Sequence, residues 1–301
     1  MTTDVFESAV PPSVAPPRSR RLSKRFGEAV AGYALVAAPA AVLFGLILSP
    51  AVLAVIDTFT IVTPAGRTFG LDRYAAFFAD GYSRANFIYT LNQTILATSA
   101  TLVVSFAIAV FLRFGSGRVA RTVQALALFP LFVPAIVAAY ALTRFLGPNG
   151  LFQILLEQVG IRGFVSPYLT PVGPFIGFVW EAIPLPVLIL TAGFAQVSSH
   201  AVEAARDLGA GPLRILHEIL IPQAKRSLLV AFSLCFLGIF GSFTIPYALG
   251  PAAPEMMGVF MQRTYGQLLK PDEAQVQAVI CFMACAVVGF LYVRLVATSK
   301  G

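Results

Sequence analysis

Apolar residues in this chain come in long unbroken runs rather than in alternating or amphipathic patterns. Six of these runs are long enough for a bilayer, whose hydrocarbon core takes about 20 helical residues to cross. The first lies between Glu28 and Asp57, the second between Arg84 and Arg113, and the third between Arg121 and Arg144. The fourth extends from about Pro174 to Val197 and is interrupted by Glu181. The fifth starts after Arg226 and ends near Tyr247; the sixth lies between Glu273 and Arg294. Lipid offers backbone N–H and C=O groups no water, so each run must satisfy its own as a helix. A barrel is excluded, because its strands would alternate apolar and polar positions. The pattern predicts an all-α membrane protein with six transmembrane helices.

The polar stretches between the runs are unequal. Residues 1–28 carry Pro11-Pro12, Pro16-Pro17 and five basic residues without periodicity, which predicts a disordered basic tail. The apolar run that follows is too long for a signal h-region of roughly 7–15 residues, so it reads as a retained first span. This leaves 29–301 as one six-span domain. Three loops are longer than bare turns. The first, about 63–86, holds Phe69-Gly70-Leu71-Asp72-Arg73-Tyr74, read as the start of a short surface helix. The second, about 145–172, opens with the turn signal Gly147-Pro148-Asn149-Gly150 and continues into an apolar Leu151–Val159 patch. The third, 248–273, is rich in Pro and Gly.

The longest polar segment between late runs is the stretch of about 198–226, between spans 4 and 5. Ser199 is placed as N-cap of a helix reaching Leu208, with Glu203 in an early turn where the helix dipole favours an anion. Gly209 can supply the left-handed residue that ends such a helix. Gly211-Pro212 then turns the chain into a second helix, with Leu213, Leu216, Ile219 and Leu220 on one face and Pro222 ending or kinking it. Ala204-Ala205 beside Gly209 forms a small-residue face suited to close docking against another protein.

Composition agrees with the membrane reading. The chain is 57% hydrophobic and 12% charged, against about 25% charged residues in a soluble domain. Its net charge of +7 therefore bears on topology, and nucleic acid is not an expected partner. With the N-terminus inside, 14 of the 21 Lys and Arg residues fall on cytoplasmic segments. That bias predicts both termini inside and puts the polar hairpin in the cytoplasm. The three cysteines lie inside apolar runs, with neither a disulfide framework nor zinc spacing.

No catalytic constellation is present. His200 and His217 flank the hairpin without a nucleophile pattern, and no phosphate-binding Gly-x-x-x-x-Gly-Lys-Ser/Thr loop occurs. If ATP drives this protein, another chain binds it. Glu181, next to Trp180 and just before Pro184 and Pro186, is the acidic residue well inside a span. An intramembrane carboxylate is costly and hence a candidate site for a cationic or hydroxylated solute. Asn92, Gln93, Thr94 and Thr98 form a polar cluster that could line a pathway or bond helix to helix. Ser242, Phe243, Thr244 and Tyr247, near the end of the fifth run, are candidates for pore lining or an interfacial belt.

Glu203-Ala204-Ala205, Gly209 and Ile219-x-Ile221-Pro222 resemble the EAA loop of permease subunits of binding-protein-dependent ABC importers. Gly70-Leu71-Asp72-Arg73-Tyr74, Leu91-Asn92-Gln93-Thr94 and the Leu185–Phe194 approach extend the resemblance over nearly the whole chain after the tail. It implies a type I importer fold in the bacterial inner membrane, with a coupling helix that docks on a separate ATPase. It also implies two ATPase subunits, a second permease and an extracytoplasmic solute-binding protein. ATP and Mg would sit on the ATPase, with no cofactor on this chain and no enzymatic activity of its own. By the same resemblance Glu203, Ala204, Ala205, Asp207 and Gly209 carry coupling. Asp207-Leu208-Gly209-Ala210 and Gly241-Ser242-Phe243-Thr244-Ile245-Pro246 look more like the polyamine, phosphonate, sulfate and iron group than the sugar permeases. A sugar permease of the same superfamily remains an alternative. A secondary transporter or a membrane docking protein are rivals from other classes.

Overall fold

The computed structural model describes residues 32–37, 39–63 and 66–297. The expected tail, 1–28, and Lys300 lie outside these residues. The chain divides into two units, Met1–Asp57 and Thr58–Gly301. The first contains most of α1 (Gly32–Thr58), an apolar helix with a π-turn at Leu43–Leu48.

The second unit opens with an antiparallel hairpin, β1 (Thr60–Thr63) and β2 (Gly66–Phe69), pairing Thr60 with Phe69. This hairpin was not expected from the sequence; β-branched Thr60, Ile61, Val62 and Thr63 account for it. Then come α2 (Asp72–Ala79) and α3 (Gly81–Phe114). Asp80 caps α3 by accepting from the Ser83 N–H at 2.8 Å, and hydrogen bonding by Ser83 holds its carboxyl below the usual range. At roughly 1.5 Å per residue, the 34 residues of α3 extend about 51 Å. Its interior has neither proline nor glycine, and it runs unbroken.

After α3 follow α4 (Gly117–Leu128), a 3₁₀ turn (Phe129–Phe132), α5 (Ala135–Leu146) and α6 (Leu151–Gln158). The fourth run forms α7 (Val172–Ala182) and α8 (Pro184–Ala195). The polar hairpin gives α9 (Ser199–Asp207), which leads into α10 (Pro212–Phe240). The chain closes with α11 (Thr244–Leu249), α12 (Met257–Gly266) and α13 (Pro271–Ala297). Among the described residues, four helices are singly long and apolar enough to cross a membrane. Two bent pairs raise the number to six if each is one span.

The runs depart from simple spans where proline intervenes. The third does not form one helix: Gly117–Phe132 and Ala135–Gln158 meet at 109°. Val133 is extended (φ −99°, ψ 118°) because the Pro134 ring disfavours helical geometry in the residue before it. The fourth bends by 43° at Ile183, ahead of Pro184 and Pro186. The fifth starts at Pro212 rather than after Arg226, so the second hairpin helix and the span are one element. Pro222 does not end it, because the π-turn Leu216–Leu220 just upstream widens the backbone where the ring would otherwise clash. Nor does the span reach Tyr247; it stops at Phe240, leaving Ser242 and Phe243 in a connection. The Pro- and Gly-rich third loop contains α12, a helix not foreseen.

Three buried clusters hold the second unit together, and α3 and α10 contribute to each. One joins Ala109 of α3 to Leu190 and Phe194 of α8, Val202 of α9, and Ile215, Leu220 and Ala224 of α10. The middle one joins Ala97, Phe178, Cys235, Ile239 and Ile245. The third joins Phe77, Phe236, Met257, Phe260 and Ile280, with Phe87 and Leu91 of α3 packed against it. Small residues let helices approach closely in lipid. A Cβ on Gly193 would come within 2.7 Å of the Ser227 Cβ, and one on Gly177 within 2.7 Å of the Ile245 Cγ2.

Polar contacts complete the packing on α3. Asn86 Oδ1 accepts from the Glu255 N–H, Thr90 Oγ1 from the Met257 N–H, and Gln93 Nε2 donates to the Pro171 carbonyl, at 2.9, 2.9 and 2.8 Å. Of the predicted polar cluster, Gln93 thus bonds one element to another. Asn92 faces outward, whereas Thr94 and Thr98 are fully buried, the Thr94 hydroxyl without a partner among the described residues.

Candidate functional site

Helix α9 is built to stand out from the bundle. Its buried face carries Val202, with Ala205 packed beside it against the α3, α8 and α10 core. Its other face shows Glu203, Ala204, Arg206 and Asp207 exposed, followed by Leu208, 89% exposed. The small-residue face is therefore split: Ala205 roots the helix while Ala204 points outward.

The end of α9 is locked by backbone geometry. Gly209 has φ +80°, the left-handed conformation expected of it. Its N–H donates to the Arg206 carbonyl at 2.8 Å, and the Ala210 N–H donates to the Ala205 carbonyl at 2.9 Å. These two bonds form a Schellman motif, and Ala205 and Ala210, its usual apolar pair, both pack on the same core cluster. At the other end the N-cap position is Ser198, not Ser199, and no side chain caps the helix. Ser199 Oγ instead accepts from an Arg113 guanidinium nitrogen at 3.2 Å, and that nitrogen also donates to the Val197 carbonyl at 3.3 Å. The Arg206 guanidinium lies 5.5 Å over the Phe114 ring. Arg113 and Phe114 were not singled out by sequence reasoning. A basic residue closing a span gives no sign of a contact 84 and 86 positions away.

A second feature is a cavity of about 400 Å³ where α7, α8 and α10 meet the connection to α11. Glu181, Ser242 and Phe243 line it together with Phe178, Cys235 and Thr244. Glu181 is half-buried at the bend, and no side-chain hydrogen bond or ion pair reaches its carboxylate among the described residues. Tyr247 is exposed and stacks on Phe243, ring centroids 5.1 Å apart, without lining the cavity. Trp180, Asn92 and Thr94 do not line it either. A larger cavity, about 640 Å³, is lined by Arg73, Asp80, Lys270, Asp272 and Glu273 and shares none of these residues. There Arg73 pairs with Asp272 and Lys270 with Glu273, at 3.1 and 2.9 Å, and Asp80 is engaged as the cap of α3.

Known proteins resemble this arrangement in sequence and in fold. Residues 101–300 match the family described as binding-protein-dependent transport system inner membrane component. The spermidine/putrescine transport system permease protein PotB of Escherichia coli (strain K12) is 29% identical over 195 residues, 63% of this chain and 69% of that protein. The molybdenum transport system permease protein ModB of Azotobacter vinelandii is 28% identical over 166 residues, 55% of this chain and 72% of that one. In structure, a chain of a bacterial ABC transporter importing the acidic polysaccharide alginate superposes with a TM-score of 0.77 at 15% identity, covering 93% of this chain and all of its own. The MetNI methionine ABC transporter gives 0.56 at 18% identity, covering 75% of this chain and 97% of that one. At these identities the two structures establish the fold.

Proposed function

The chain belongs to the binding-protein-dependent transport system inner membrane components, and we propose that α9 is the coupling helix of this ABC importer permease. The observation that carries the proposal is the two-sided construction of α9: one face rooted in the bundle core, the other bare and charged. Glu203 and Asp207 present carboxylates to an ATPase subunit, Ala204 allows close approach, and Leu208 offers an apolar contact at the tip. Ala205 and Gly209 act from within, by seating the helix and fixing where it ends. The basic bias of the loops supports a cytoplasmic position for α9 and both termini inside.

In this reading the chain is a multi-pass permease without enzymatic activity, and ATP and Mg are bound by two separate ATPase subunits. A second permease, identical or similar, completes the pathway. A solute-binding protein delivers cargo from outside; the alginate transporter, of like fold, was solved with such a periplasmic protein. Glu203→Lys and Gly209→Pro should leave membrane insertion and ATP hydrolysis by the assembled importer in place while abolishing uptake. Normal uptake by both variants would remove the coupling role.

For the solute, Glu181 carries the reading. A carboxylate without a side-chain partner, in a cavity with Phe178, Phe243, Ser242 and Thr244, suits a small organic cation: charge to the carboxylate, alkyl segments to the rings. The polyamine transport named for PotB supports this class. Uptake of spermidine, a sugar and molybdate by Glu181→Gln should show a selective loss for the cation. An unchanged profile would return Glu181 to a packing role.

A further inference from the structure

We propose that Arg113 is a positioning residue that ties the coupling helix to α3, making α3 the rod along which displacement of α9 reaches the far end of the bundle. This rests on the reading of α9 as the coupling helix. Both ends of α9 are held by the last turn of α3: Arg113 bonds Val197 and Ser199 at the start, and Phe114 lies under Arg206 near the finish. The Arg113 Nε is buried without a partner among the described residues. An aliphatic residue could fill that space without stranding a donor, so packing alone does not account for an arginine here.

The helices that continue α9 along the chain are both interrupted. Upstream, α8 is separated from α7 by the 43° bend, and downstream α10 carries the π-turn at Leu216–Leu220. Breaks at the ends of elements are where hinge motions place their φ/ψ change. Helix α3 has none. Its opposite end is fastened as firmly as its coupling end, by Asn86 and Thr90 to the backbone of Glu255 and Met257 and by the Tyr82 hydroxyl to the Glu255 carboxylate at 2.9 Å. A shift of α9 that carries Arg113 must therefore move the segment Glu255–Met257, whereas the bent helices can yield.

The test uses the complete importer in proteoliposomes, with Ala252→Cys as reporter of the Glu255–Met257 segment and a membrane-impermeant maleimide as probe. Ala252 is exposed in the connecting loop three residues before Glu255. Labelling with and without ATP and vanadate reads the conformational response; ATP hydrolysis is measured in parallel. Arg113→Ala should reduce the ATP-dependent change in labelling at least about fivefold, as loss of a charged-donor hydrogen bond allows, with hydrolysis kept. Arg113→Lys should restore much of the response. Ser199→Ala removes an acceptor without touching α3 and should give a smaller loss in the same direction, not additive with Arg113→Ala. An undiminished response in Arg113→Ala and Ser199→Ala, or hydrolysis and response falling in parallel, overturns the proposal. Gly209→Pro separates the two readings. If it abolishes the response while Arg113→Ala does not, only the rod is wrong. If Gly209→Pro also leaves the response intact, the coupling-helix reading fails.

Discussion

Replacing Gly209 separates backbone conformation from packing at the end of α9. Its φ of +80° lies where an L side chain is strained, yet a Cβ built there meets no atom within 4 Å. The whole cost of Gly209→Ala is therefore conformational, about 1–2 kcal/mol, or roughly 5- to 30-fold in a local opening equilibrium. The amides that report it are those of Gly209 and Ala210, bonded to the Arg206 and Ala205 carbonyls. Hydrogen exchange measured on the segment 199–215 in the intact membrane protein should show that increase in Gly209→Ala. Gly209→Asn should stay near the parent, because asparagine tolerates the left-handed region, and β-branched Gly209→Val should exceed Ala. Equal protection in Gly and Ala, or an Asn variant as labile as Val, would refute the conformational account. Losses that grow with side-chain volume would mean a clash, contrary to the open space seen here.

Other consequences follow from packing and charge. Gly193→Leu should destabilise by about 1–3 kcal/mol, the range for overpacking, because its side chain must displace Ser227 across the α8–α10 contact. Thermal unfolding in detergent checks this, and Ser227→Gly in the same chain should recover part of the loss. Glu255 is 6% exposed and paired with Arg263 while accepting from Tyr82. Arg263→Met leaves that carboxylate unpaired and should cost about 3 kcal/mol, the low end for a broken buried pair because Arg263 is itself a third exposed. The double variant with Glu255→Gln should lose much less. Burial pushes the Glu255 carboxyl above its usual range, against the lowering effects of Tyr82 and Arg263. Without Arg263 it should rise further, so the folded state takes up a proton that the unfolded chain does not. Arg263→Met should then gain stability relative to its parent as pH falls through the raised Glu255 range, and lose it as pH rises. The opposite slope would contradict this account of the pair.

What the sequence determined about this protein is what depends on local chemistry. Runs of apolar residues specify helices because lipid leaves the backbone no other partner, and the helical architecture followed from them. Gly209 announced its left-handed turn because glycine is the residue that takes that conformation without strain. Prolines sit at the bends at Val133-Pro134 and Ile183-Pro184, but their positions alone do not say that one turns the chain by 109° and the other by 43°. Pro222 shows the limit of local reading: the same ring that breaks the third run is absorbed in α10, because a π-turn precedes it. Tertiary structure alone decided which side of α9 is bare. Ala204 and Ala205 are identical letters, and the partial burial of the second follows from packing against the core that α3, α8 and α10 build. It likewise brought Glu181 together with Ser242 and Phe243, and left Trp180, Asn92 and Thr94 off that cavity. The contacts of Arg113 belong to the same class. A hydrogen bond across 84 residues is fixed by where two helices end in space, which no periodicity along the chain encodes.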